Sequence, residues 1–189
     1  PPRGFTNAAY ADFGGAPGPL ATIVAARPDV IAQNLETVER LTHPVRDPRA
    51  GYRTTLDLLA RVKELDPDML TKSSLMLGLG ETDDEVRAAM ADLRIAGVDF
   101  LTFGQYLAPS RRHHPVVEYV TPETFDAWRV EGEALGVRYV ASGPLVRSSY
   151  RAGEFAIRAV FDERRGQGAT VGTSDAGGDA ASDLTPRRN

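Results

Sequence analysis

The chain's 189 residues include 22 basic and 26 acidic side chains, a formal net charge of −4, and are 42% hydrophobic and 25% charged. That balance fits one soluble globular domain with apolar material for a core, and argues against a general nucleic-acid binder, which would show a basic face. Cysteine is absent, which removes disulfides, zinc–thiolate sites, cysteine nucleophiles and any cluster held by this chain's own thiolates. No run of about 18 apolar residues offers a membrane span. No basic segment leads into an apolar stretch near the start, so no secretory signal is expected and a cytoplasmic location is.

In chain order, residues 1–19 are rich in Pro, Gly and Ala and read as a loop. Val30-Ile31-Ala32 reads as a short strand. Thr54 to Leu65 places Leu56, Leu59, Val62 and Leu65 on one helical stripe. Leu70 to Leu79 is strand-like and ends in glycine. Thr82 and Glu85 then form a capping box ahead of Val86, Ala89, Met90 and Leu93, with Gly97 where a helix ends. Val98 to Phe103 alternates like a strand. Thr121-Pro122 opens a helix that turns Phe125 and Trp128 inward and stops at Gly136, and Val137 to Ala141 is the next strand. Glu154 to Arg165 reads as a terminal helix, and 166–189, almost without large apolar residues, as a disordered tail. This β–α–β–α–β–α–β order predicts an α/β fold with a parallel sheet, either part of a (β/α) barrel or a small open sheet. In both, chemistry gathers at the C-terminal ends of the strands.

Polar or glycine-rich clusters follow these strands. In Gln33-Asn34-Leu35-Glu36-Thr37, Asn34 and Glu36 either hydrogen-bond a ribose or amino-acid head group, or belong to a helix N-cap with first-turn acids. In Gly78-Leu79-Gly80-Glu81-Thr82, glycines allow close approach of a ligand and helix-start amides suit an anion; the alternative is a tight βα turn. Neither the P-loop nor the dinucleotide spacing is present. Lys72, inside the preceding strand, needs a partner if buried: a carboxylate ligand or a salt bridge. After the third strand, Gln105 and Tyr106 are pocket-lining candidates. The run Arg111-Arg112-His113-His114 that follows points to an anion or an acidic partner, or is a solvated basic loop. Adjacent histidines without a third ligand do not make a metal site, and His43 reads as a loop residue. In Ser142-Gly143-Pro144-Leu145-Val146-Arg147-Ser148-Ser149-Tyr150 the hydroxyls bind an anion or offer an oxygen ligand, and the G-x-S-x-G nucleophile pattern is missing. Chemistry alone supports a small-molecule-binding α/β protein.

Taken together, Asn34-Leu35-Glu36-Thr37, Thr71-Lys72-Ser73 with Leu75-Met76 and Gly78-Leu79-Gly80-Glu81-Thr82, Leu101-Thr102 with Gly104-Gln105-Tyr106-Leu107 and Pro109-Ser110, and Ser142-Gly143-Pro144 with Val146-Arg147-Ser148-Ser149-Tyr150 closely resemble lipoyl synthase. The match runs from about Pro28 to Glu154. The resemblance implies a radical S-adenosylmethionine (SAM) enzyme on a (β/α) TIM-type barrel, of which this chain supplies about four βα units from the C-terminal part. Such enzymes insert two sulfur atoms at C6 and C8 of octanoyl groups carried on a protein lysine. One 4Fe-4S cluster cleaves SAM reductively, and a second, auxiliary one is consumed as the sulfur donor. The implied partners are octanoylated lipoyl-carrier domains or proteins and an electron donor, without nucleic acid or membrane.

Carried over residue by residue, Asn34 and Glu36 are contacts to the ribose or methionine moiety of SAM. Gly78, Gly80 and Glu81 belong to the segment along it, Gln105 to Leu107 to the segment beside its adenine, and Lys72 joins the cofactor-binding set. Ser149, with Ser148 as the alternative, would be the serine ligand of the auxiliary cluster, an oxygen donor harder than thiolate. No catalytic residue is assigned. Two departures stand out: the family's two cysteine triplets are missing, and Gln33 stands where histidine is expected. The expected organisation is a poorly matching segment 1–27, a barrel portion 28–165 and the tail 166–189. Without cluster thiolates the chain is expected to be inactive alone, either as part of a lipoyl synthase or as a non-catalytic half-barrel that relies on another chain for cysteines. A half-barrel phosphate-binding enzyme is a further reading, and it requires phosphate at Gly78–Glu81.

Overall fold

The computed structural model describes residues 7–9 and 17–147, with side chains from Gly18 to Arg147. They fall in the first of two compact units, Pro1–Gly153; the second, Glu154–Asn189, lies outside the described residues, as do the helix expected at 154–165 and the tail.

Strands β1 (Asn7–Ala9), β2 (Val30–Ala32), β3 (Leu70–Leu77), β4 (Phe100–Gln105) and β5 (Tyr139–Ser142) form one sheet in the order β1-β2-β3-β4-β5, every neighbour parallel. The connections carry helices α1 (Pro17–Ala25), α2 (Thr42–Val45), α3 (Tyr52–Leu65), α4 (Asp83–Ile95) and α5 (Pro122–Ala134), with a 3-10 turn at Glu39–Leu41. The capping box at α4 is formed in both directions, Thr82 accepting from the Glu85 amide and Glu85 from the Thr82 amide. Pro122 opens α5 behind an N-cap Thr121, and the chain leaves α4 and α5 through Gly97 and Gly136 at positive φ.

Alternation along the strands sorts their side chains into two sets. Leu75 and Leu77 of β3, Leu101 and Phe103 of β4 and Val140 of β5 pack with Leu56 and Leu59 of α3, Met90 and Leu93 of α4, and Phe125 and Trp128 of α5. Ile31 of β2 packs with Leu20 and Val24 of α1 and Leu58 and Val62 of α3. The opposite set is more polar: Lys72, Ser74 and Met76 of β3 lie in register with Phe100, Thr102 and Gly104 of β4. Among the described residues helices thus pack on one face only, and strand order follows chain order without reversal. A doubly wound sheet reverses its order at a switch point and covers both faces, whereas this winding is that of a (β/α) barrel segment.

The loop reading of residues 1–19 is corrected by β1 and by the start of α1. The three residues of β1 carry no strand pattern of their own and are held by pairing Asn7, Ala8 and Ala9 with Val30, Ile31 and Ala32. In α1, prolines at 17 and 19 are tolerated because first-turn amides have no helical partner, and Leu20 and Val24, one turn apart, anchor the helix on the core. The sheet therefore has five strands, one more than the sequence suggested. Among the described residues no helix is long and apolar enough to cross a membrane.

Candidate functional site

On the polar face, toward the C-terminal ends of β3 and β4, lies a cleft of about 160 Å³ lined by Glu36, Ser74, Leu75, Met76, Thr102, Gly104, Gln105, Leu107, Val146 and Arg147. Segment 33–36 extends β2 along β3: the Gln33 amide donates to the Lys72 carbonyl (3.0 Å) and the Glu36 amide to the Ser74 carbonyl (2.9 Å). The Met76 amide returns a bond to the Glu36 carbonyl (2.8 Å). No helix starts at Asn34–Thr37, so the N-cap alternative falls. Glu36 sits at φ +69°, a conformation that costs a non-glycine residue roughly 1–2 kcal/mol and is held by those rungs. Its carboxylate accepts from Asn34 Nδ2 at 3.0 Å, so Asn34 orients Glu36.

Thr102 is only 3% exposed, and its hydroxyl has no hydrogen-bond partner among the described residues. An orphan hydroxyl facing a cleft is a polar group waiting for a ligand atom. Beside it, Gly104 permits a backbone-to-backbone approach: a Cβ there would stand 2.3 Å from the Val146 carbonyl oxygen. The segment after β5 can therefore lie against β4, pinned by the Gly143 amide on the Phe103 carbonyl (3.2 Å). Arg147 Nη1 donates to the carbonyls of Val146 (2.9 Å) and Pro144 (3.3 Å).

The glycine turn works differently from the sequence expectation. The Glu81 carboxylate accepts from the Gly78 amide (2.6 Å) and the Leu79 amide (2.8 Å), so the turn carries its own anion on the donors that a phosphate would use. The phosphate-binding reading, which needed those amides, is overturned. Gly78, at φ +93°, is required for packing: a Cβ would stand 2.2 Å from the Glu118 carbonyl oxygen and 2.5 Å from Gln105 Nε2. The Gly78 carbonyl accepts from the Val117 (2.9 Å) and Glu118 (3.3 Å) amides. Gln105 completes the clamp, donating to the carbonyls of Tyr106 and Glu118 (3.0 Å each) and accepting from the Val120 amide at 2.9 Å.

Of the candidate cofactor residues, Glu36, Gln105 and Leu107 line the cleft, and Asn34 braces Glu36. Lys72 is buried at 3% exposure on the same strand face as Ser74 and Met76, outside the lining; Gly78, Gly80 and Glu81 shape the adjoining turn and do not line it either. Ser148 and Ser149 lie outside the described residues. The sequence reading passed over Ser74, Thr102 and Arg147 as site residues. The local signal for the first two was weak, because Ser74 follows Thr71, Lys72 and Ser73 without alternation and meets Thr102 only through the β3–β4 register.

Around the βα end of the sheet, ion pairs brace the connections. Arg40 contacts Glu85 (2.6 and 2.9 Å) and the Gly80 carbonyl (2.9 Å), and its guanidinium lowers the Glu85 carboxyl from 4.5 to about 2. Arg53 pairs with Glu39, and Tyr52 donates to Asp92 at 3.0 Å, burial and that carboxylate pushing its phenol above the ordinary range. Among the described residues no group of three or more His, Cys, Asp or Glu is placed to hold a metal ion. With no cysteine in the chain, thiolates for an iron–sulfur cluster would have to come from outside these residues, so such a cluster does not fit the groups present here.

No family model matches the chain. Curated relatives do. It is 61% identical over 153 residues to a lipoyl synthase of Anaeromyxobacter sp. (strain Fw109-5), covering 81% of this chain and 52% of the relative. It is 57% identical over 163 residues to the mitochondrial lipoyl synthase of Branchiostoma floridae, covering 86% of this chain and 43% of that one. With the chloroplastic lipoyl synthase of Ricinus communis it shares 55% identity over 158 residues, 84% of this chain and 43% of the relative. The chain thus spans about half the length of the curated relatives it matches. Over the stretch it shares with them, this chain belongs to the lipoyl synthase family.

Proposed function

We propose that the cleft is the SAM-binding wall of a lipoyl synthase acting on octanoyl groups of lipoyl-carrier domains, with an electron donor as second partner. The observation that carries the reading is the 52–61% identity to lipoyl synthases, over 81–92% of the chain in the relatives just described and one from Culex quinquefasciatus. The orphan Thr102 hydroxyl, with Glu36, Ser74 and Gln105 beside it, suits a ligand that presents ribose, amino-acid and adenine edges. When bound and reduced, SAM supplies the hydrogen-abstracting radical. This chain's residues bind and orient it: Glu36, held by Asn34, accepts hydroxyl or ammonium protons, Thr102 and Ser74 offer hydroxyls, and Leu107 gives an apolar edge. Lys72 supports the wall from below, and the Gly78-Leu79-Gly80-Glu81 turn fixes its rim. Ser149, or Ser148, is assigned as the auxiliary-cluster oxygen ligand by family resemblance.

Because the 189 residues lack cysteine, the two 4Fe-4S clusters require thiolates supplied contiguously or by another chain. That feature also favours a second reading, a non-catalytic half-barrel that pairs with a cysteine-bearing partner. Relatives named mitochondrial and chloroplastic are consistent with activity in a compartment that holds lipoyl carriers, an organelle matrix or a bacterial cytoplasm. Mass spectrometry of an octanoylated carrier incubated with SAM, reductant and enzyme tests the reading. Sulfur insertion is expected with a cysteine-bearing form and none with these 189 residues alone. Unmodified carrier and intact SAM with a cluster-loaded, cysteine-bearing form would overturn it.

A further inference from the structure

We infer that the β4–α5 connection is the docking surface for an acidic protein face that delivers the acyl chain, an inference that rests on the preceding reading of the cleft. Residues 106–121 form a long connection without helix or strand, the kind of segment that is retained in compact folds for binding. It is nevertheless firmly held. The Tyr106 hydroxyl donates to the His114 carbonyl at 2.8 Å, His114 Nε2 lies 2.9 Å from the Leu79 carbonyl oxygen, and Gln105 and Gly78 clamp residues 117–120. Inside this frame Ser110 organises a turn: its hydroxyl lies 2.9 Å from His113 Nδ1 and accepts from the Arg112 amide, and its carbonyl accepts from the His113 amide. The turn presents Arg111 and Arg112 to solvent.

Among the described residues their charge is uncompensated. Between Asp99 and Glu118 the chain carries no carboxylate, although its net charge is −4. Arg40, Arg53 and Arg87 are engaged with Glu85, Glu39 and Glu131, whereas neither Arg111 nor Arg112 makes a side-chain hydrogen bond or ion pair among the described residues. The same connection exposes Leu107 (52%), Val117 (60%) and Tyr119 (72%). Apolar and guanidinium groups side by side fit a protein surface better than a small anion, which has no use for the apolar part. Leu107 is at once exposed and part of the cleft lining, so a partner seated here stands at the cleft's mouth with an apolar step leading inward. A preformed loop also limits the ordering entropy of docking.

The test is calorimetric titration of this 189-residue chain with an octanoylated, acidic lipoyl-carrier domain. Arg111→Glu/Arg112→Glu should weaken binding about tenfold or more, and wild-type affinity should fall as salt rises from about 50 to 300 mM. The neutral pair Arg111→Gln/Arg112→Gln should lose less, and Arg138→Glu, an exposed arginine at the opposite end of the strands, should lose nothing. Equal affinities for wild type and the reversed pair, or no binding by wild type, would overturn the docking surface. The reading of the cleft is decided separately, by sulfur insertion into a short octanoyl-lysyl peptide by a cysteine-bearing form, since such a peptide lacks the acidic face that would engage Arg111 and Arg112. Turnover of peptide without arginine-dependent carrier binding sinks only the docking surface.

Discussion

Among the described residues two buried threonines carry hydroxyls without partners, Thr37 at 1% and Thr102 at 3% exposure, and only Thr102 lines the cleft. Replacing each by valine keeps the shape and removes the unsatisfied group. A buried orphan hydroxyl costs about 1–3 kcal/mol; taking the lower end, each substitution stabilises the ligand-free chain by about 1 kcal/mol, or about 2–4 °C for a chain of this size. Binding separates them. A hydrogen bond from Thr102 to SAM is worth about 0.5–1.5 kcal/mol, so Thr102→Val raises the dissociation constant for SAM roughly 2- to 10-fold in a cluster-loaded, cysteine-bearing form. Thr37→Val leaves it unchanged. Stability is read by urea denaturation of the 189-residue chain, followed by circular dichroism and by the fluorescence of its single tryptophan, the buried Trp128; coincident transitions license a two-state treatment. A Thr102→Val protein that is less stable than wild type, with unchanged affinity for SAM, would refute the assignment of this hydroxyl to a ligand.

Three more outcomes are expected. Gly78→Ala, which meets both left-handed strain and a Cβ 2.2 Å from the Glu118 carbonyl oxygen, destabilises by about 1 kcal/mol more than Gly80→Ala, whose Cβ has only Val117 at 3.4 Å; equal urea midpoints contradict the clamp. Glu85 is held at about 2 against 4.5 by Arg40. Its stabilising effect is therefore complete above pH 4.5 and lost as pH falls toward 2, and in a midpoint-against-pH series Arg40→Ala or Glu85→Gln should flatten that acid slope. In a cysteine-bearing form, Ser149→Ala should impair sulfur insertion while SAM cleavage continues; the same effect from Ser148→Ala instead moves the ligand by one residue.

Helices α3, α4 and α5 and the long strands were legible because their signals are local. The Thr82–Glu85 box, Pro122 behind Thr121, and the turns at Gly97 and Gly136 each act within one or two helical turns, and the apolar stripes that follow have one register that buries them. What was not legible depends on pairing across the chain. Asn7–Ala9 is a strand only because Val30–Ala32 lies beside it, and Asn34–Thr37 extends β2 only because β3 offers Ser74 and Met76 as rungs. The site divides the same way. Glu36, Gln105 and Leu107 were reachable through local motifs, but Ser74 and Thr102 become neighbours only through the β3–β4 register, which no short window contains.

The glycine turn shows why a ligand-like motif can serve the scaffold. Free amides at a strand end and helix start attract an anion, and here Glu81, three residues after Gly78, fills that role permanently. The consequence reaches the cleft: with the Gly78 and Leu79 amides bonded to Glu81, the proposed reading assigns recognition to the strand face, to Glu36, Ser74 and Thr102, and to the clamped β4–α5 connection. Under the proposed reading these groups hold and orient ligands, and the chain itself has no thiolate. Ligand positioning and electron delivery are then separable: a substitution at Thr102 should change the affinity for SAM without changing the iron content of a cysteine-bearing form, whereas loss of that form's cluster cysteines should do the reverse to iron.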